Sequence, residues 1–249
     1  MTFLRWVELD ADLPTVGYPF TLPVVAALRS AGRLRLDPRV TFLTGDNGTG
    51  KSTLIEAIAV AAGFNPEGGT VNFRFSTRSS ESALGRYLRL VRSPGKPQTG
   101  FFLRAESFYN VATEVDRLAT GRGPNLLDRY GGRSLHERSH GESFLDLATH
   151  RFGPHGLYVL DEPESALSVP GCLALIARIH DLVAAGSQFV IATHSPVLLA
   201  VPNALILRLS VDDDTGLGVI SEVDFDDAEP VALTRSFLAD PQRFLRQLL

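Results

Sequence analysis

The sequence predicts an α/β fold with a mostly parallel sheet, and two observations indicate it. In the second half of the chain, helix-like segments alternate with short, wholly apolar segments such as 157–160 and 189–192. Strands that are apolar on both faces are typical of a parallel sheet covered by helices. The second observation is a glycine-rich loop, residues 45–52, between an apolar strand and a helix. With 249 residues, the chain is long enough to bury the core of one such domain.

Apolar periodicity and turn residues predict the individual elements. The first 44 residues read as short strands joined by turns, at 3–9, 20–28, 34–36 and 40–44. Further strands are predicted at 71–75, 100–103, 156–160, 188–192, 204–209 and 217–224. Helices are predicted at 52–63, 80–91, 108–118, 141–152, 171–185 and 241–249.

Composition limits the class of protein. Hydrophobic residues make up 44% and charged residues 21%, which is ordinary for a soluble globular chain. The net charge of −4 gives no overall electrostatic signal for nucleic-acid binding. The single cysteine, Cys172, excludes an intrachain disulfide, and we expect it to be a small buried residue. No apolar run reaches the ~20 residues of a membrane span, and the first residues do not resemble a signal peptide. We therefore expect a cytoplasmic protein.

The most informative segment is residues 45–52, Gly-Asp-Asn-Gly-Thr-Gly-Lys-Ser. It fits the phosphate-loop pattern G-x-x-x-x-G-K-[ST] and has the strand before it and the helix after it that the pattern requires. Its glycines allow backbone N–H groups to surround a phosphate, and the start of the following helix adds positive field. Lys51 would contact the β- and γ-phosphates, and the Ser52 hydroxyl would bind Mg²⁺. The alternative is a glycine-rich turn before an ordinary helix.

Two more apolar strands end in polar side chains. The strand 157–160 is followed by Asp161 and Glu162, and the strand that ends at Ala192 is followed closely by His194. Ligands collect at the carboxyl ends of parallel strands, so Asp161 is expected to hold Mg²⁺ and Glu162 to polarise the attacking water. His194 would hydrogen-bond the γ-phosphate and that water. The alternatives are two solvated acids and a histidine that caps a strand.

The segment 138–144 predicts the start of a helix. Ser139 has the position of an N-cap, and Glu142 follows three residues later, which is the spacing of a capping box. The free N–H groups of such a helix start can hold an anion. An ordinary capped helix explains this segment equally well when it is taken alone.

These four motifs, in this order, resemble an ABC-type ATPase head over residues 35–210. The phosphate loop resembles Walker A, and residues 157–161 resemble Walker B. Glu162 matches the catalytic glutamate, His194 the switch histidine, and Ser139 and Gly141 two residues of the signature Leu-Ser-Gly-Gly-Gln. The Asn47-Gly48-Thr49 form of the loop is similar to the SMC/RecF-like or predicted AAA/ABC-like branch, here without coiled-coil arms or membrane spans.

The resemblance implies a P-loop NTPase fold in one domain, residues 1–249. It implies an ABC-ATPase-like core with an N-terminal antiparallel β portion, and a helical subdomain at about 80–153 that carries the signature. It also implies Mg²⁺-dependent ATP hydrolysis, with ATP and Mg²⁺ as cofactors. The catalytic residues would be Glu162, His194 and Lys51. ATP would be bound by Asn47, Gly48, Gly50, Lys51, Ser52 and Thr53, and in trans by Ser139, Gly141 and Glu142 of a second copy. The metal would be held by Ser52 and Asp161, with Glu106 in place of the glutamine that the family uses.

The chain departs from the family pattern at several positions. In the signature, Arg138, His140 and Glu142 replace Leu, the first Gly and Gln, and Ser168 stands where the family often has Asp. Tyr18 and Phe20 lie at the sequence distance of an aromatic residue that stacks on adenine in transporter subunits, but we expect both to pack in the core.

The resemblance further implies an ATP-dependent head-to-tail homodimer that acts as a switch. We expect it to work in DNA maintenance or phage defence, or with an effector protein, and without membrane insertion. The alternatives are the ATPase subunit of an ABC transporter, a small-molecule kinase, and a nucleotide-regulated binding module without turnover.

Overall fold

The computed structural model describes residues 2–70, 83–104, 111–113, 115–117, 134 and 140–248. The predicted strand 71–75 lies outside these residues. The described strands are β1 Leu4–Leu9, β2 Arg33–Arg35, β3 Val40–Gly45, β4 Leu88–Arg92, β5 Thr99–Arg104, β6 Gly156–Asp161, β7 Gln188–Ala192, β8 Leu205–Val211 and β9 Gly218–Val223. The helices named here are α1 Pro23–Ala31, α2 Lys51–Ala62, α3 His140–Arg151, α4 Val169–Ala184, α5 Glu229–Ala239 and α6 Pro241–Leu248. Residues 111–113 and 115–117 are also helical.

A six-stranded sheet with the order β5-β6-β7-β3-β8-β9 forms the centre of the fold. All neighbours in it are parallel except β8 and β9, which confirms the predicted mostly parallel sheet. Consecutive residues of one strand point to opposite faces, and both faces are buried. On β3, Phe42 joins the cluster that contains α3 and α4, whereas Leu43 joins the cluster that contains α1 and α2. This two-sided burial explains why the central strands are mostly apolar on both faces.

A second sheet, with the order β2-β1-β4, is antiparallel and confirms the predicted N-terminal β portion. One buried side chain links it to the central sheet. The Gln188 amide at the start of β7 accepts hydrogen bonds from Phe3 N and Leu4 N, both at 2.9 Å. It also donates to Leu4 O and Asp37 O, both at 2.8 Å. The two sheets are therefore held in register by four hydrogen bonds from one amide.

Two predicted elements were wrong. The segment 20–28, predicted as a strand, contains the start of helix α1, because Pro23 suits the first helical position and buried side chains recur from Val24 to Leu28 at helical spacing. The segment 80–91 was predicted as a helix, but its described part is a short 3₁₀ helix, Ala83–Tyr87, followed by β4. Pairing of β4 with β1 overrides the local apolar period.

Helix α5 was not predicted from the sequence, which indicated only the terminal helix, 241–249, in this part of the chain. Within the range 80–153, the described residues include β4 and β5, which belong to the two sheets. The division into a helical subdomain stays a prediction. None of the described helices is long and apolar enough to cross a membrane.

Candidate functional site

The phosphate loop connects the end of β3 to the start of α2, as the motif requires. Gly45 has φ 131° and lies so close to β8 that a Cβ there would be 1.9 Å from the Leu209 carbonyl oxygen. Gly50, the residue before α2, has φ 98°, and a Cβ there would be 2.5 Å from Val24 Cγ1. Only glycine allows both the left-handed backbone and these close approaches. At Gly45 and Gly50 the loop therefore packs against its neighbours through backbone atoms, with no room for a side chain.

Lys51 is buried at the centre of this loop. Its Nζ donates to Gly45 O at 2.6 Å and to Asp46 O at 2.7 Å. Burial lowers the pKa of the ammonium group, and nearby carboxylates, with Glu162 first, followed by Asp46 and Asp161, partly offset this. A bound polyanion would raise the pKa of Lys51, as those carboxylates do, because negative charge favours the protonated form of lysine.

Strands β6 and β7 bring the predicted acids and histidine to the same edge of the sheet. Asp161 ends β6 opposite Ala192 of β7, and its side chain is 7% exposed. The next residue, Glu162, has left-handed backbone with φ 48°, and its N–H donates to Ala192 O at 3.0 Å. For a residue with a Cβ, this conformation costs roughly 1–2 kcal/mol. Such a conformation persists only where the surrounding structure holds it, here through the hydrogen bond to Ala192 O.

His194 faces that carboxylate. Its Nε2 lies 3.7 Å from Glu162 Oε1, and its backbone N–H donates to Glu164 Oε1 at 2.6 Å. Glu162 and His194 are each partly exposed, at 42% and 37% of the side chain. The structure therefore brings Lys51, Asp161, Glu162 and His194 together, with the side chains of Glu162 and His194 partly exposed.

A cavity of about 310 Å³ lies beside the loop. Asp46, Asn47 and His194 line one side of it, and Glu229 and Leu233 of α5 line another. Glu229 therefore lies beside the phosphate loop, and it is the smallest contributor among the carboxylates that partly offset the lowering of the Lys51 pKa by burial.

Comparison with known proteins agrees with this fold. A family model described as an AAA domain matches residues 29–104, and another, described as "AAA domain, putative AbiEii toxin, Type IV TA system", matches residues 127–200. No curated protein matches the chain. Among solved structures, cbiO1 from Clostridium perfringens, part of the ABC transporter complex cbiONQ, is 15% identical, with a TM-score of 0.51 and coverage of 100% of both chains. An SMC head bound to the C-winged helix domain of ScpA is 12% identical, with a TM-score of 0.50 and coverage of 91% of this chain and 99% of that chain.

The fold is that of an ABC/SMC-like ATPase head, and two AAA-type family models match separate parts of the chain.

Two of the residues that the resemblance assigns to a second copy lie away from the phosphate-loop cavity. Gly141 and Glu142 are in the first turn of α3 and line a cavity of about 480 Å³, together with Ala166 and Ser168. None of the described residues that line this cavity also lines the cavity at the phosphate loop. A Cβ on Gly141 would lie 2.9 Å from Ala166 O, so the start of α3 is packed against the turn that follows Glu162. Ser139 and Glu106 lie outside the described residues.

The two aromatic residues before the loop differ from the expectation in part. Tyr18 is 74% exposed, so the prediction that it packs in the core was wrong. Its hydroxyl lies 3.4 Å from Thr53 Oγ1, at the start of α2. Phe20 is partly buried and meets the ring of Tyr87 edge-on at 5.5 Å, which confirms core packing for that residue.

The oxygen donors at the loop suit Mg²⁺. Ser52, the second residue of α2, supplies a hydroxyl group, and Asp161, the last residue of β6, supplies a carboxylate. Mg²⁺ commonly takes one or two protein oxygens and completes its coordination with water and phosphate. Within the described part of the chain, no group of three or more His, Cys, Asp or Glu forms a metal site of its own. This donor set fits a metal that is bound together with a nucleotide.

Sequence reasoning missed two charged residues of the candidate site. Arg104, the last residue of β5, contacts both Glu56 and Asp161, and Glu229 reaches the loop cavity from α5. Arg104 could have been found from the sequence, because it is a charged residue at the carboxyl end of a buried strand. The same pattern identified Asp161. No comparable signal exists for Glu229, because α5 itself was not predicted.

Proposed function

We propose that this ATPase head binds ATP with Mg²⁺ and hydrolyses it. The observation that carries the proposal is the convergence of Lys51, Asp161, Glu162 and His194 at one edge of the sheet, beside a loop of phosphate-binding geometry. The two AAA-type family matches support the same chemistry.

The proposed roles follow from the positions of the side chains. Loop N–H groups and the Lys51 ammonium bind the β- and γ-phosphates, because they present positive charge where the anion is held. Ser52 and Asp161 hold Mg²⁺, which supplies neutralisation of phosphate charge when bound. Glu162 accepts a proton from the attacking water. His194, at 3.7 Å from Glu162, orients that carboxylate and the water.

The variant Glu162→Gln tests the proposed base. Its amide keeps the size of the side chain but cannot accept the proton, so we expect phosphate release to fall ~10²–10⁴-fold while ATP still binds. Glu222→Gln is the matched control, because Glu222 is exposed on β9 and pairs with Arg35. Hydrolysis by Glu162→Gln at the wild-type rate contradicts the assignment.

We further propose that two copies bind ATP between them, head to tail. Gly141 and Glu142 line a different cavity from the one at the phosphate loop. One nucleotide can therefore contact the loop and the start of α3 more easily when the two belong to different copies than when they belong to the same copy. In this arrangement the start of α3 in one copy, with Ser139, faces the γ-phosphate held by the other. Hydrolysis then removes the charge that held the copies together.

The variant Ser139→Arg tests this arrangement. We expect it to lose hydrolysis while each monomer still binds ATP, since the bulky cation obstructs only the shared face. Ser30→Arg, at an exposed position of α1, is the control. Sedimentation of Glu162→Gln with ATP is expected to show a dimer that ADP does not support. Unchanged turnover by Ser139→Arg contradicts the shared site.

The closed dimer is proposed to act as a switch that engages DNA or an effector protein, in DNA maintenance or phage defence. The description of the second family, which names a putative toxin, supports an effector role. Capture of partners by Glu162→Gln in ATP, compared with ADP, tests the proposal. A membrane-spanning chain recovered only with ATP would favour a transporter instead.

A further inference from the structure

Arg104 forms a bridge between two elements of the proposed magnesium site. It ends β5 beside Asp161 of β6, and the two residues are in register in the parallel pair. Its Nη1 lies 2.8 Å from Glu56 Oε2, and its Nε lies 3.6 Å from Asp161 Oδ2. The side chains of Glu56 and Asp161 are only 8% and 7% exposed, and that of Arg104 is 20% exposed.

Glu56 brings the phosphate-loop helix into this bridge. It lies four residues after Ser52 on α2, so the two side chains share one face of the helix. The proposed metal donors Ser52 and Asp161 belong to different elements, α2 and β6. Arg104 contacts Glu56, on the face of α2 that carries Ser52, and it also contacts the carboxylate of Asp161. Its guanidinium therefore spans the distance between the elements whose spacing defines the site.

Charge explains why an arginine suits this place. A buried carboxylate needs a compensating partner when it is ionised, and the guanidinium of Arg104 lies beside two of them, Glu56 and Asp161. A guanidinium offers its donors in a fixed planar fork that can meet more than one carboxylate. An ammonium group at the same place has no fork with which to hold two carboxylates in a set geometry.

We propose that Arg104 is a positioning residue for Mg²⁺: by joining Glu56 to Asp161 it sets the distance between the Ser52 and Asp161 donors. The proposal rests on the proposed function, since it concerns the metal of that same site. Arg104 acts through Glu56 and Asp161 and needs no contact with nucleotide. Its removal therefore weakens the part of nucleotide binding that depends on Mg²⁺ and spares the part that does not.

The test measures ADP binding by isothermal titration calorimetry, with Mg²⁺ and with EDTA, for wild type and Arg104→Gln. Loss of a residue that orients a metal ligand commonly costs 10–100-fold in metal affinity. We expect the Mg²⁺-dependent gain in affinity to fall at least ~10-fold in Arg104→Gln, with binding in EDTA unchanged. Mn²⁺ binding to the ADP complex, followed by electron paramagnetic resonance, is expected to weaken by a similar factor. Arg35→Gln is the control, because Arg35 forms an exposed pair with Glu222.

Two further variants separate positioning from general damage. Arg104→Lys keeps the positive charge but not the planar fork of donors. We therefore expect it to restore less than half of the Mg²⁺-dependent affinity for ADP that Arg104→Gln loses. Glu56→Gln is expected to shift the Mg²⁺ dependence in the same direction, and the double variant to be no worse than Arg104→Gln alone. If Arg104→Gln does not fold, Glu56→Gln carries the test.

Three results are distinguishable. Equal losses with Mg²⁺ and with EDTA, or a change below 2-fold in the Mg²⁺-dependent gain, overturn the role of Arg104. Absence of ADP and ATP binding by the wild-type protein overturns the proposed function itself. A selective loss of the Mg²⁺-dependent part, together with full additivity of Glu56→Gln and Arg104→Gln, overturns the bridge through Glu56.

Discussion

Replacement of Gln188 by Leu tests how the N-terminal sheet is attached to the central sheet. The side-chain amide is fully buried and makes four hydrogen bonds, all to backbone groups of residues 3, 4 and 37. Leucine has a similar volume but no polar atom. The substitution therefore removes the hydrogen bonds with little change in packing.

The expected loss of stability follows from the backbone groups left behind. Phe3 N, Leu4 N, Leu4 O and Asp37 O would lose their bonds to the amide, and the three residues that carry them are at most 8% exposed. Each unsatisfied buried group costs about 1–3 kcal/mol. Because local relaxation and water lower the sum, we take the bottom of that range and expect a loss of about 4 kcal/mol. For a chain of this size, that corresponds to a fall in Tm of roughly 8–16 °C.

Urea denaturation followed by circular dichroism measures this loss. Gln98→Leu is the control, since Gln98 is exposed and the same atoms are exchanged there. A difference between the two variants below about 1 kcal/mol would refute the reasoning, because it would mean that the four backbone groups find other partners without cost.

Three further predictions concern single positions. Gly45→Ala is expected to lose nucleotide binding and at least about 3 kcal/mol of stability, because its Cβ would overlap the Leu209 carbonyl. Gly153→Ala, which meets only an ordinary contact at 3.6 Å, should be near neutral, and denaturation curves compare the two. Burial raises the pKa of the Cys172 thiol, so its reaction with a disulfide reagent at neutral pH should be at least ~100-fold slower in the folded chain than in urea. Burial also raises the pKa of Tyr158. The folded state then holds this proton more tightly, and stability should fall as pH rises past the ordinary tyrosine value, less so in Tyr158→Phe. Urea denaturation at about pH 8 and about pH 11 measures the difference.

Local patterns predicted the parts of the site that lie at strand ends. Asp161, Glu162 and His194 follow apolar strands, and the parallel arrangement brings such ends together. Helix α1 was mistaken for a strand because a short apolar segment fits either period. The Arg104 bridge depends on two partners that are distant in sequence, and only the pairing of β5 with β6 and the packing of α2 bring them close. Glu229 reaches the loop through a helix whose place is set by tertiary packing.

The most direct test of the account is ATP binding in Mg²⁺ by wild type and by Lys51→Ala. The Lys51 ammonium lies at the centre of the phosphate loop, held by Gly45 O and Asp46 O. Calorimetric titration is expected to show one ATP bound per wild-type chain and binding at least ~10-fold weaker in Lys51→Ala, since charge-assisted contacts to phosphate are lost. No binding by the wild-type protein, or equal affinity of the two, would contradict the claim that this loop holds a nucleotide.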